Sequence, residues 1–352
     1  MNRQSQSSGD NSTQVQAAGD VIVGISEDRA REIARDTARQ VIDVYADEGV
    51  RLIQERITKL DDRIIATLIR EGRLEVFTDP GFQRSYRKAQ EGAAVSDKDS
   101  DYDLLAALLS DRAARGEARP TRAGIERSIE IVDQVDSIAL RGLTVFQAVQ
   151  AVQQFRPLGP QLGDGLDTME LLFADLIDGP LPTGAEWLDH LDILDAIRID
   201  QVSSLKPFTE YYPQRMPGYL AAGLPSEGTP WPIELNGASF MIPNLIAVHE
   251  LRPTHVRLAA PVEETLRTTL GLPGDAHDSI VKQAREKLGF GVIDPELVQP
   301  FFEEVRKRSS LAEIESWWGQ IPQALTVTSV GRVLARANAY RLDSRGILPP
   351  IE

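Results

Sequence analysis

Ile53-Gln54-Glu55-Arg56-Ile57-Thr58-Lys59-Leu60-Asp61-Asp62-Arg63-Ile64-Ile65-Ala66-Thr67-Leu68 carries the reading of the fold class. Its apolar residues Ile53, Ile57, Leu60, Ile64 and Leu68 recur at steps of four and three, which aligns them along one side of an α-helix as an a/d-like seam. Upstream, Ser26 precedes Glu27 and Asp28. Serine is a good N-cap, and early acids suit the positive end of the helix dipole. Ile33, Thr37, Val41 and Val44 or Tyr45 continue the helical spacing. A long amphipathic helix over residues 26–70 is therefore expected, with coiled-coil character and with Gly49 marking a kink or break.

Before that helix lies a short repeat. Gly9-Asp10-Asn11-Ser12-Thr13-Gln14-Val15-Gln16 is followed by Gly19-Asp20-Val21-Ile22-Val23-Gly24. Gly with Asp or Asn favours turns, and Val21, Ile22 and Val23 favour a strand. A turn-strand-turn-strand unit this small buries no face alone. Residues 1–25 are expected to form a β-repeat or hairpin that associates with other copies, through Gly9, Asp10, Asn11, Gly19, Asp20, Val21, Ile22 and Val23.

Downstream, Thr78-Asp79-Pro80-Gly81 marks a turn, since the residue before proline disfavours helix. Helices are expected through Phe82, Tyr86 and Ala89, through the run Leu104–Leu109 capped by Asp103 or nearby acids, and over 121–140 and 144–155. Residues 156–182 turn towards Gly and Pro, so a helical domain at 71–155 and a mixed, mostly helical domain at 156–352 are expected. Within the latter, 233–240 and 255–260 suggest short strands. Helices follow at 262–270, 278–288 and 295–308, and Ala324–Gly331 leads into a helix over 332–341. The fold class is mainly α: a helical body, a short N-terminal β-repeat and a few strands in the C-terminal half.

A net charge of −15 opposes non-specific binding to nucleic acid or anionic membrane. Arg112, Arg115, Arg119 and Arg122 lack interleaved aromatics and suggest a solvated face. The absence of cysteine removes disulfides and thiolate chemistry and fits a reducing cytoplasm. No apolar run reaches the length of a membrane span.

Tests for chemistry find no motif. His249-Glu250-Leu251-Arg252-Pro253-Thr254-His255 has the wrong spacing for a zinc helix, and Pro253 interrupts it. His190 sits among Glu186, Asp189, Asp192 and Asp195, a charged helix surface. Asp97, Asp99, Asp101 and Asp103 fail the calcium-loop pattern, with Tyr102 and Leu108 where Gly and Glu belong. No catalytic residue, metal ligand or cofactor site is expected.

Two segments carry a resemblance. Ser8–Gly24, followed by Ala30-Arg31-Glu32-Ile33-Ala34, resembles the opening of a family of uncharacterised bacterial proteins that begin with a Gly-Asp-Asn-Ser…Gly-Gly-Asp stretch and a long helix. Phe77–Gln83 and Asp103–Ala113 are similar to its next block. Ala18 stands where the second motif has Gly. Leu325-Thr326-Val327-Thr328-Ser329-Val330-Gly331 resembles a Leu-Thr-x-x-Gly element before the last helix of bacterial proteins linked to phage exclusion. The resemblance implies a class and no mechanism.

The expectation is a non-enzymatic bacterial homo-oligomer that assembles through its N-terminal repeat and binds a partner, in anti-phage defence. An alternative is a hydrolase-like enzyme whose pocket lies in the loop 207–232, with Phe208, Tyr211, Tyr212, Tyr219 and Trp231 as walls and Glu210 or Glu234 as acids. A third is a nucleic-acid-binding regulator using Arg332, Arg336, Arg341 and Arg345.

Overall fold

The structure is a computed structural model. It describes residues 27–116, 118–151, 160–200, 202–227, 233–235, 238–240, 245–270 and 274–348. The chain divides into two units, residues 1–54 and 55–352. Ser26, expected to cap the first helix, lies outside the described residues.

Helix α1 (Glu27–Glu71) continues without interruption through Gly49, so the expected break is absent. A helical glycine costs only about 1 kcal/mol, which intact hydrogen bonding on either side absorbs. In the second unit, Leu60, Ile64 and Leu68 of this helix are fully buried, as their spacing predicts. Asp79 then caps α2 (Pro80–Val95), accepting from the amides of Gly81 at 2.9 Å and Phe82 at 3.2 Å. Pro80 occupies the first turn, where its missing N–H leaves no bond unmade. Phe77 meets Phe82 and Tyr86 edge-on.

Helix α3 (Asp99–Arg115) begins four residues before Asp103 and buries Leu104, Leu105, Leu108 and Leu109. A single helix expected over 121–140 is instead α4 (Arg119–Ile131), a 3-10 turn at Val132–Gln134, and α5 (Ser137–Gln150). The break is set by Asp136. Its carboxylate accepts from the amides of Ile138 and Ala139 and starts a new helix where 144 was expected to.

The C-terminal half begins with α6 (Leu162–Leu176) and α7 (Glu186–Ile193), followed by strand β1 (Ile197–Asp200). A one-turn helix, α8 (Phe208–Tyr211), leads into two 3-10 turns at Tyr212–Arg215 and Pro217–Leu220. Strands β2 (Leu224–Pro225), β5 (Ile246–Val248) and β6 (His255–Leu258) form an antiparallel sheet in the order β2-β6-β5. Between them β3 (Ile233–Leu235) and β4 (Ala238–Phe240) make a hairpin. Helices α9 (Glu263–Leu270) and α10 (Gly274–Leu288) contribute Leu266, Ile280, Ala284 and Leu288 to a small separate core with Leu245 and Leu258. The stretch expected as one helix over 295–308 is α11 (Pro295–Val305), and a further helix, α12 (Ser309–Trp318), follows it.

Strand β7 (Ala324–Val327) pairs antiparallel with β1, Ile197 opposite Val327 and Asp200 opposite Ala324. Thr328 then caps α13 (Ser329–Leu342), its hydroxyl accepting from Gly331 N–H at 3.1 Å. This last helix packs on α3, α4 and α5. Two buried polar bonds tie it there: Asn338 donates to the Thr144 hydroxyl at 2.9 Å, and Ser128 donates to the Val330 carbonyl at 3.2 Å. The main core thus runs from Leu60 to Leu348 across the stretch where a domain boundary was expected. Residues 152–159 of that stretch lie outside the described residues.

Candidate functional site

The first half of α1 has no buried residue. Ile33, Val41, Ile42, Val44, Tyr45, Val50, Leu52 and Ile53 are all exposed, with Ile42, Val44 and Tyr45 between 63% and 72% accessible. Eight large apolar side chains in contact with water over fewer than 30 residues are more than scattered surface apolars explain.

These side chains are not randomly placed. Successive residues turn about 100° around a helix, so Ala30, Ile33, Ala34, Thr37, Val41, Val44 and Tyr45 share about one third of the circumference. Ala38 and Ile42 widen that face to about half. From residue 48 onward charges take the same side: Glu48 and Arg51, which pair at 2.6 Å, and then Glu55. The apolar side chains reappear on the roughly opposite side as Ile53, Ile57, Leu60, Ile64 and Leu68. One helix therefore carries two apolar faces in series. The later face is buried from Leu60 onward, and the earlier one is open.

The residues expected to drive assembly, Gly9, Asp10, Asn11, Gly19, Asp20, Val21, Ile22 and Val23, lie outside the described residues. So does Trp231.

The other aromatic residues of the loop 207–232 are core material. Phe208 stacks on Tyr212 with centroids 4.7 Å apart, and Tyr211 stacks on Trp318 at 5.1 Å. Phe208, Tyr212 and Tyr219 are buried, and Tyr211 is half-buried with the Arg215 guanidinium over its ring. Burial raises the phenol of Tyr212 well above its ordinary range, and its buried hydroxyl has no partner. These rings fill the space among Phe301, Phe302 and Trp318. Glu210 is exposed.

The histidine segment 249–255 is a turn between β5 and β6, with the His249 amide donating to the His255 carbonyl at 2.9 Å. The His249 ring is buried and shares a 2.8 Å hydrogen bond with the Ala221 carbonyl through Nε2, while Nδ1 has no partner. Burial lowers its pKa, outweighing the Ala221 bond, which opposes the shift. Beside it, the fully buried Arg257 donates to both oxygens of Glu250 and to the carbonyls of Pro160 and Leu258. Glu250 also accepts from Leu162 N–H at 2.7 Å, and the guanidinium lies 4.8 Å from the Tyr219 ring centroid. Burial raises the Glu250 carboxyl, but the Arg257 hydrogen bonds and charge outweigh it, so its pKa falls below the ordinary range. With its donors and acceptors met inside the chain, this pair is an anchor between the β5–β6 turn, β6 and the start of α6, rather than an open reactive centre.

The remaining charged clusters are likewise engaged. Asp103 accepts from Arg63 at 2.5 Å and Asp101 from Ser96 at 2.6 Å. His190 Nε2 accepts from the Asp136 amide at 3.0 Å. Arg112, expected on a solvated face, is buried and reaches Asp79, and Arg115 and Arg336 both pair with the buried Asp111. Arg332 donates to the Val327 carbonyl, Arg341 to Asn338 and Arg345 to Asp175. Among the described residues, no cluster of three or more metal-ligating side chains occurs, and no helix is long and apolar enough to cross a membrane.

Compared with known proteins, residues 24–346 match the model of a family described only as ":-like". No curated protein and no solved structure matches the chain.

Proposed function

We propose, from the premise that the chain belongs to the family whose model covers residues 24–346, that it is a non-enzymatic bacterial protein which self-associates through its N-terminal region and presents its helical body to a partner. The observation that carries this reading is the unburied apolar face at residues 30–45 of α1. Exposing such a face to water costs roughly 25 cal/mol for each Å² of apolar surface, so covering it is a substantial driving force. The Gly-Asp repeat before the helix supports the same reading, because a turn-strand unit as short as its sequence suggests would bury no face of its own.

The internal pairing of Glu250 with Arg257, of Asp111 with Arg115 and Arg336 and of Asp103 with Arg63 supports reading the body as a packed scaffold, which suits a binding protein. The packing of Phe208, Tyr212 and Tyr219 into the core weighs against a hydrolytic pocket there. The intrachain bonds of Arg332, Arg336, Arg341 and Arg345 weigh against a nucleic-acid track, as does the net charge of −15. The resemblance of residues 325–331 to phage-exclusion proteins supports a role in defence, which plating of phage on cells with and without the protein tests.

Self-association is tested by the solution mass of the full chain. A discrete multiple of 38.8 kDa is expected. A monomer at tens of micromolar sinks the reading.

A further inference from the structure

We propose that the face of α1 from Ala30 to Tyr45 is closed by the same face of other copies of this chain, in a parallel, in-register bundle of three or more helices. This rests on the self-association reading and specifies its interface.

The occupant follows from the charges that border the apolar face. Arg31, Arg35 and Arg39 follow one another at intervals of four along one edge. Asp36, Asp43 and Asp47 line the opposite edge. When two helices pack in parallel, each turns one edge towards the other edge of its neighbour. When they pack antiparallel, like edges meet. With one edge basic and the other acidic, parallel copies bring Arg against Asp, and antiparallel copies bring Arg against Arg and Asp against Asp. The two edges are complementary to each other, which is what identical copies around a closed ring require.

Arg31 pairs with Glu27 at 2.7 Å, an i,i+4 surface bridge whose two side chains stay largely exposed and which competes only weakly with a partner's charge. Arg39 and Asp36 approach only to 3.7 Å with both side chains largely exposed. No ion pair to Arg35, Asp43 or Asp47 occurs among the described residues.

The width of the face sets the lower limit on copies. A two-stranded coiled coil needs only the narrow seam that Ala30, Ala34, Thr37, Val41 and Val44 provide at steps of four and three. It would leave Ile33, Ile42 and Tyr45, on the flanks of that seam, in water. A bundle of three or more covers a broader arc and takes these side chains in. The change of side after residue 47 fits the same picture, since the later residues of the helix need their apolar face for their own core.

The chain has no cysteine, so single introduced cysteines report proximity without background. Ala34→Cys and Val44→Cys, each in the full-length protein, are oxidised and run without reductant, with Glu32→Cys, on the side of the helix away from the face and not one of the charges that border it, as control. Both face positions are expected to give disulfide-linked pairs and the control none. The two positions lie about 15 Å apart along the axis, so an antiparallel arrangement brings at most one of them to its own counterpart. Sedimentation equilibrium then follows Arg31→Glu/Arg35→Glu/Arg39→Glu. Association is expected to weaken about tenfold, as three exposed pairs at each contact imply, and to recover when Asp36→Arg/Asp43→Arg/Asp47→Arg is added. A self-associated protein that cross-links at neither position, or at one only, overturns the parallel bundle while leaving self-association standing. A dimeric mass also overturns it. A monomer overturns both proposals.

Discussion

At Gly331 the fold leaves no room for a side chain. A Cβ there would sit 1.9 Å from the Ala196 carbonyl oxygen and 3.0 Å from Val327 Cγ1, where α13 starts beside β1. Backbone oxygen does not yield as a flexible side chain does, so Gly331→Ala must push the strand pair and the helix apart. A loss of about 1–3 kcal/mol is expected, measured as a lower denaturation midpoint with an unchanged slope. His249 supplies a pH signature. Its folded pKa is depressed, so the unfolded chain binds a proton that the folded one refuses. The associated stability is fully present above the unfolded value, about 6.5, and is lost as pH falls from there through the folded pKa. The unfolding free energy should therefore drop between pH 7 and 5. His249→Gln, which retains a donor for the Ala221 carbonyl, should flatten that slope; an unchanged slope would show that His249 is not its source.

At the scale of elements, some of the fold was legible in the sequence because its signals are local. The spacing of Leu60, Ile64 and Leu68 predicts their burial, Asp79-Pro80 marks the start of α2, and Leu325–Gly331 reads as strand into helix. What escaped depends on partners distant in sequence. Strand β1 is unremarkable until β7 pairs with it more than a hundred residues later, and the rings of 208–219 look like pocket walls until Phe301, Phe302 and Trp318 enclose them. The break at 132–136 rests on one Asp cap that competes with a continuous apolar pattern. In the candidate interface, Ile33, Thr37, Val41, Val44 and Tyr45 were legible as helical spacing. Their lying opposite the buried seam was hidden by reading the helix as one stripe. Gly49 sits between the two faces, and a Cβ there meets nothing within 4 Å. Gly49→Ala should accordingly stabilise α1 locally by about 1 kcal/mol, slowing amide exchange around residues 45–53 about fivefold. Faster exchange would mean that the glycine is needed for a close approach.

At the scale of the whole molecule, the two units should respond differently to dilution. Residues 55–348 hold the main core, including Trp187, Trp317 and Trp318, all buried. None of residues 27–54 is buried, so this stretch of helix lacks the tertiary packing from which most helical stability in proteins comes. If other copies supply the cover, the helical state of this segment is linked to protein concentration by mass action, while the core that surrounds the tryptophans is not. Lowering the concentration through the dissociation range should then reduce ellipticity at 222 nm with no shift in tryptophan emission. Trp231 lies outside the described residues, so Trp231→Phe keeps the emission a report on the core alone. Ellipticity that holds constant while the mass falls to that of a monomer would mean that the helix stands without its neighbours. Emission that moves together with ellipticity would mean that assembly holds the body together as well, and that the interface extends beyond the face at 30–45.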